Sequence, residues 1–154
     1  MFFLAVLQSV VLSRVTVFGV SADLPIAMAA LLAFLKGPRE GFWFGALAGM
    51  LSDALSPAVF TVVVSASMTC FLLGLLKERF FSEEEPVMFV FVFAGTFFTY
   101  LATSWLLSGI LGRPLSGAWQ VIFLVSVINV LFTPYLKALL NKAESEENGR
   151  RLKI

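Results

Sequence analysis

The chain has 154 residues, of which 59% are hydrophobic and 14% are charged, and its mean hydropathy is +0.93. A soluble domain of this size carries about 25% charged residues, so this composition indicates that lipid covers most of the surface. The net charge of +1 excludes a general electrostatic attraction to nucleic acid. Because the chain has no histidine and one cysteine, it offers no internal disulfide and no Cys/His metal site.

Six apolar runs follow one another along the chain. Crossing about 30 Å of hydrocarbon takes about 20 helical residues, and three runs approach or exceed that length: 58–76, 87–111 and 118–140. Three earlier runs are shorter: 1–13, 24–35 and 41–55. We predict an all-α membrane bundle of six helices over residues 1–143, followed by a short polar tail over residues 144–154. The first two runs could instead merge into one span.

The positions of the basic residues predict an orientation. Basic residues near membrane spans are retained on the cytoplasmic side. Six helices with a cytoplasmic N-terminus place nine of the eleven basic residues inside and leave only Arg14 and Arg113 outside. We therefore expect both termini in the cytoplasm. If the first two runs form one span, only the predicted side of the N-terminus changes, from the cytoplasm to the outside.

The most specific pattern is a glycine ladder, defined as Gly37, Gly41, Gly45 and Gly49, with Asp53 at the next step of the same spacing. Glycine is costly inside a helix, whereas a stripe without side chains lets another backbone approach closely in lipid. Two interpretations remain open. The ladder packs against a helix of the same chain, or it forms part of a docking surface for another membrane protein, and both can be true together.

Two aspartates differ in what their positions predict. Asp23, followed by Pro25, is typical of a helix N-cap. Asp53 ends its own helix, where the macrodipole disfavours negative charge, and Ser56-Pro57 already supplies a cap for the next helix. An ionisable group in a membrane is a functional candidate. We therefore assign Asp53 to the partner-binding set, with exposure to interfacial water as the alternative.

Polar residues in the later runs give the remaining candidates. Thr99, Tyr100 and Asn129, with Trp105 and Trp119 near them, could line a cavity. Asn129 could instead make a simple hydrogen bond between helices, and the serines and threonines can bond to carbonyls of their own helices.

Residues 23–25 (DLP), the Lys36-Gly37 pair, the glycine ladder ending in Asp53, and residues 72–80 (LLGLLKERF) together resemble the MreD family of rod shape-determining proteins. The resemblance implies a bacterial inner-membrane subunit of the cell-elongation machinery. It also implies a single-span MreC-like partner, links to the cytoskeleton and to peptidoglycan synthesis, and the helical architecture of the substrate-binding subunits of energy-coupling-factor transporters.

We therefore expect a non-enzymatic scaffold that docks other membrane proteins through the ladder and Asp53. A chain without histidine or paired acids in its spans offers no catalytic constellation, and we expect no cofactor and no small-molecule ligand. The alternative is a substrate-binding subunit of a vitamin transporter. That function needs a polar, aromatic-lined cavity.

Overall fold

The computed structural model describes residues 16–17, 20–21, 23–54, 61–80, 85–111 and 118–151. These ranges contain a pair of two-residue strands and five helices. We label them in chain order as β1 (Thr16–Val17), β2 (Val20–Ser21), α1 (Leu24–Lys36), α2 (Pro38–Ala54), α3 (Thr61–Phe80), α4 (Glu85–Leu111) and α5 (Ala118–Arg151). The strands are antiparallel, with Thr16 opposite Ser21 and Val17 opposite Val20.

Three of these helices are long and apolar enough to cross a membrane. The spans are Thr61–Arg79 in α3, Pro86–Ile110 in α4 and Trp119–Lys142 in α5. The prediction of six spans is therefore not supported, although each run after the first corresponds to a helix. With 13 residues, α1 is about 20 Å long and falls short of a bilayer's width. The first predicted run, 1–13, lies outside the described residues.

Helix α1 lies at the centre of the bundle. Every residue from Leu24 to Phe34 is buried, and α1 contacts each of the other four helices. A helix that is apolar on all sides is covered either by lipid or by other elements of the protein, and here the other four helices cover it. Its last turn packs on α4, where the rings of Phe34 and Phe91 are 5.1 Å apart. The short apolar run is thus the core of the bundle.

Most of the basic residues gather at one end of the bundle. The ammonium of Lys77 lies 5.8 Å from the centre of the Phe34 ring. Leu140 belongs to the same buried cluster as Phe34 and Met88. The end of α1, the end of α3, the start of α4 and the C-terminal half of α5 therefore meet here. We call this the cationic end; it carries Lys36, Arg39, Lys77, Arg79, Lys137 and Lys142.

The polar C-terminal segment continues the last helix. α5 passes through Pro134 and extends to Arg151, so most of the predicted tail, residues 144–154, is helical. Glutamate and arginine make up five of the eight residues from 144 to 151, and both have high helix propensity.

Candidate functional site

The first feature of the site is the start of α1. The Asp23 carboxyl accepts a hydrogen bond of 3.5 Å from the Ile26 backbone N–H, and a proline occupies the first turn. This geometry is an N-cap, which satisfies one of the free N–H groups at the helix start. The sequence prediction for Asp23 is confirmed.

Three other helices also reach Asp23. The Ser52 hydroxyl of α2 lies 3.2 and 3.0 Å from the two carboxyl oxygens. The Tyr100 hydroxyl of α4 donates to Oδ2 at 2.5 Å. The Asp23 backbone N–H donates to Asn129 Oδ1 of α5 at 3.1 Å. We call Asp23, Ser52, Tyr100 and Asn129 the polar node, which joins the start of α1 to α2, α4 and α5.

The polar node lies deep in the bundle. Tyr100 is near the middle of the span Pro86–Ile110, and Asn129 is near the middle of the span Trp119–Lys142. Helix α1 therefore begins inside the bundle. A carboxyl at this depth is costly unless its oxygens are hydrogen-bonded. The three donors on the Asp23 carboxyl meet this requirement and make the node a specific connection between helices.

Two polar stripes run beside the node. Thr96, Thr99 and Thr103 are buried on α4, and Ser126, Asn129 and Thr133 are buried on α5. As predicted for such residues, the hydroxyls of four of these side chains bond to carbonyls of their own helix. The exceptions are the Thr99 hydroxyl and the Asn129 amide nitrogen, which have no hydrogen-bond partner in the structure as described.

The glycine ladder packs within the chain. A Cβ atom on Gly45 would lie 2.6 Å from the Ala66 carbonyl oxygen, and one on Gly49 would lie 2.5 Å from Val63 Cα. Gly41 meets Ala33 of α1 equally closely, at 2.6 Å. Helix α3 thus covers the stripe, and α2 and α3 form the most extensive helix contact in the described structure. These contacts bear out the intramolecular interpretation of the ladder, and a role of the ladder in docking another membrane protein stays a prediction.

Gly37 has a separate role from the other ladder glycines. It lies between α1 and α2 with φ of +93°, a conformation that L side chains rarely adopt. The Glu78 carboxylate lies 2.7 Å from the position of a Cβ atom there. Gly37 therefore permits the tight turn that folds α2 back along α1.

Asp53 caps the helix that follows its own. Its two carboxyl oxygens accept hydrogen bonds from the backbone N–H groups of Val62 at 3.4 Å and Val63 at 3.1 Å. From the sequence, a capping role for Asp53 was wrongly rejected, because Asp53 was weighed as the end of α2 and the cap of the next helix was assigned to Ser56-Pro57. The positive end of the α3 dipole now faces the carboxylate. The predicted alternative cap, Ser56-Pro57, lies outside the described residues.

A groove of about 910 Å³ runs between α3 and α4, with the first turns of α5 at one end. We call it the α3/α4 groove. Trp105 and Trp119 line it, as do small hydroxyl residues, but most of the lining is aliphatic. None of the three predicted cavity residues, Thr99, Tyr100 and Asn129, lines the groove. Two of them belong to the polar node instead.

No protein-family model, curated protein or solved structure matches the chain. Within the described residues, no group of three or more histidine, cysteine, aspartate or glutamate side chains could hold a metal ion.

Ser52 is the residue of the polar node that sequence reasoning missed. A serine in an apolar helix is not distinctive by itself. Its position relative to Gly37 carries a signal, because Asp23 lies 14 residues before Gly37 and Ser52 lies 15 residues after it. Two antiparallel helices joined at that glycine bring both residues to the same depth.

Proposed function

We propose that the chain is a non-enzymatic scaffold of the bacterial inner membrane, and that it docks a partner membrane protein. The resemblance to the MreD family suggests a single-span MreC-like partner within the cell-elongation machinery, linked to the cytoskeleton and to peptidoglycan synthesis. In this proposal the cationic end and both termini lie in the cytoplasm, in agreement with the retention of basic residues on that side.

The observation that carries the proposal is the asymmetry of α2. One side carries the glycines and is held closely against α3. Other positions expose Phe42, Trp43, Leu47 and Met50, with Trp43 63% exposed. Large aromatic side chains held on a rigid pair of helices are typical anchors of protein interfaces. We name these four residues the α2 outer face and propose it, rather than the ladder, as the docking surface.

The ladder and Asp53 contribute indirectly. Close α2–α3 packing fixes the position of the outer face, and the Asp53 cap fixes the start of α3. Substitutions at these positions would disturb docking by disturbing the fold. Substitutions on the outer face would weaken docking and leave the fold intact.

The test is co-purification of the MreC-like partner with full-length Trp43→Ala. Leu131→Ala, on α5, is the matched control, because Leu131 is an exposed apolar side chain of a different helix. We expect Trp43→Ala to reduce recovery of the partner about tenfold, equivalent to about 1.4 kcal/mol, while both variants insert into the membrane normally. Equal recovery of the partner with both variants would count against the outer face.

One observation favours the vitamin-transporter alternative. The Thr99 hydroxyl and the Asn129 amide nitrogen are buried without partners among the described residues, and a ligand could supply those partners. A co-purified vitamin, or a rise in melting temperature when a vitamin is added, would support this function over the scaffold.

A further inference from the structure

Two buried polar groups at the polar node have no hydrogen-bond partner among the described residues. They are the Thr99 hydroxyl on α4 and the Asn129 amide nitrogen on α5, and both side chains are 0% exposed. Burying a hydroxyl or an amide without a partner is costly, and such groups are normally satisfied by protein or by an ordered water. The two groups therefore point to a ligand held between the helices.

The Thr99 hydroxyl is not used by its own helix. Thr96 and Thr103 lie about one turn to either side, and their hydroxyls donate to carbonyls four residues earlier at 2.9 and 2.8 Å. A helical threonine commonly makes this bond. The Thr99 hydroxyl makes no such bond to Gly95 in the structure as described, so it is available to a molecule outside α4.

Helices α4 and α5 bring Thr99 and Asn129 to the same level. Val92 of α4 and Leu136 of α5 belong to one buried cluster. Thr99 is seven residues after Val92, and Asn129 is seven residues before Leu136. Seven residues are close to two helical turns, and the two helices run in opposite directions. Thr99 and Asn129 therefore continue the faces on which Val92 and Leu136 meet.

Hydrogen bonds to Asp23 support the same placement. The Asn129 side chain bonds to the Asp23 backbone, and the residue after Thr99, Tyr100, bonds to the Asp23 carboxyl. One residue at the start of α1 thus holds the two helices together where both unpartnered groups lie.

The chemistry of these groups selects a neutral ligand. Asn129 Oδ1 already accepts the Asp23 backbone N–H at 3.1 Å, so the Asn129 amide presents only N–H donors to a ligand. Those donors disfavour a cation, and the nearby Asp23 carboxyl disfavours an anion. Neither Thr99 nor Asn129 lines the α3/α4 groove, and neither side chain is exposed, so the ligand is small.

We propose that Thr99 and Asn129 hold one ordered water molecule between α4 and α5. The water accepts a hydrogen bond from Asn129 Nδ2 and either donates to the Thr99 hydroxyl or accepts from it, which gives it the two partners that a buried water needs. It adds a second polar link between α4 and α5 beside the one through Asp23. This site is independent of partner docking, and it gives the two atoms a different ligand from the vitamin-transporter alternative.

The sign of a stability change tests the proposal in the full-length protein. Thr99→Val removes the hydroxyl and keeps a branched side chain of similar shape. If the hydroxyl binds water, we expect the melting temperature to fall by about 3 °C. If the hydroxyl is unpaired in the purified protein, valine removes a polar group that was buried at a cost. An unchanged or raised melting temperature would therefore overturn the proposal.

Thr103→Val is the matched control for this measurement. Thr103 is buried one turn further along α4, and its hydroxyl bonds to the Thr99 carbonyl of the same helix. Such a bond adds little to helix stability, so we expect a melting temperature within about 1 °C of wild type. An equal fall for Thr99→Val and Thr103→Val would contradict a water held specifically at Thr99.

A crystal structure of the wild-type protein, at a resolution that shows ordered waters, identifies the ligand directly. We expect one compact density peak about 2.8–3.0 Å from both Thr99 Oγ1 and Asn129 Nδ2, and no such peak in Thr99→Val. Absence of the peak from the wild type would overturn the proposal. Extended density at this place would also overturn it, and mass spectrometry of the purified protein would then show whether the larger molecule is a vitamin.

Discussion

The polar node gives the sharpest test of how the helices are held together. Tyr100→Phe removes one hydroxyl and keeps the aromatic ring, so that the Asp23 carboxyl loses its 2.5 Å hydrogen bond while the packing of the ring is preserved. The chain contains one other tyrosine, Tyr135, whose side chain is 43% exposed on α5. Tyr135→Phe is therefore a matched control for the same chemical change.

The expected cost follows from the kind of hydrogen bond that is lost. Hydrogen bonds to charged groups contribute about 1.5–3 kcal/mol in soluble proteins, whereas interhelical hydrogen bonds in membrane proteins average about 0.6 kcal/mol. Because Ser52 and Ile26 still donate to the Asp23 carboxyl after the change, we expect an intermediate cost of about 1.5 kcal/mol. For a chain of this length that corresponds to a fall in melting temperature of about 5 °C.

The assay is thermal unfolding of the purified protein in detergent, with wild type, Tyr100→Phe and Tyr135→Phe measured side by side. The account predicts that only Tyr100→Phe lowers the melting temperature. Ser52→Ala combined with Tyr100→Phe should cost more than the sum of the two single changes, because each hydroxyl partly compensates for the loss of the other at the same carboxyl. Equal melting temperatures for the two tyrosine variants would refute the node as a connection between helices.

Two further predictions concern the packing of α2. Gly45→Leu should lower the free energy of unfolding by about 3 kcal/mol or more, because its Cβ would lie 2.6 Å from the Ala66 carbonyl oxygen. Gly109→Leu is the control, because no described atom lies within 4 Å of the added Cβ. It should be nearly neutral in the same unfolding assay. Asp53→Ala should lower the free energy of unfolding by about 1 kcal/mol, because the α3 cap is lost. Asp53→Asn should lower it by less in the same thermal unfolding assay, because its amide oxygen still accepts one hydrogen bond. If Gly45→Leu and Gly109→Leu lower the free energy of unfolding equally, the ladder packing is contradicted. If Asp53→Ala leaves the free energy of unfolding unchanged, the cap is contradicted.

The local features of the fold could be predicted from the sequence. Apolar runs indicate where the helices lie, and Asp23 with Pro25 marks the start of α1, because capping depends only on neighbouring residues. The spacing of the glycines also predicts close helix contact. The sequence does not show which helix packs on the ladder, because a stripe of small residues fits a helix of any chain.

The contacts between distant residues could not be predicted from these local patterns. Tyr100 is 77 residues from Asp23, and Asn129 is 106 residues away, so their convergence depends on how all the helices pack. The length of the apolar run of α1 also does not decide between a membrane span and a helix in the core of the bundle. A run of 13 residues is a poor membrane span, yet an apolar run of that length suits a helix that other helices surround.

The central claim is that the helices cross a bilayer with the cationic end on one side. It is tested most directly by labelling Glu78→Cys and Lys142→Cys, each in a Cys70→Ala background, with a membrane-impermeant thiol reagent. Both positions are exposed near the cationic end, whereas Gly109 lies near the other end of α4. The account predicts that Glu78→Cys and Lys142→Cys react only from the cytoplasmic side and Gly109→Cys only from the outside. Reaction of Glu78→Cys and Lys142→Cys from opposite sides would contradict it.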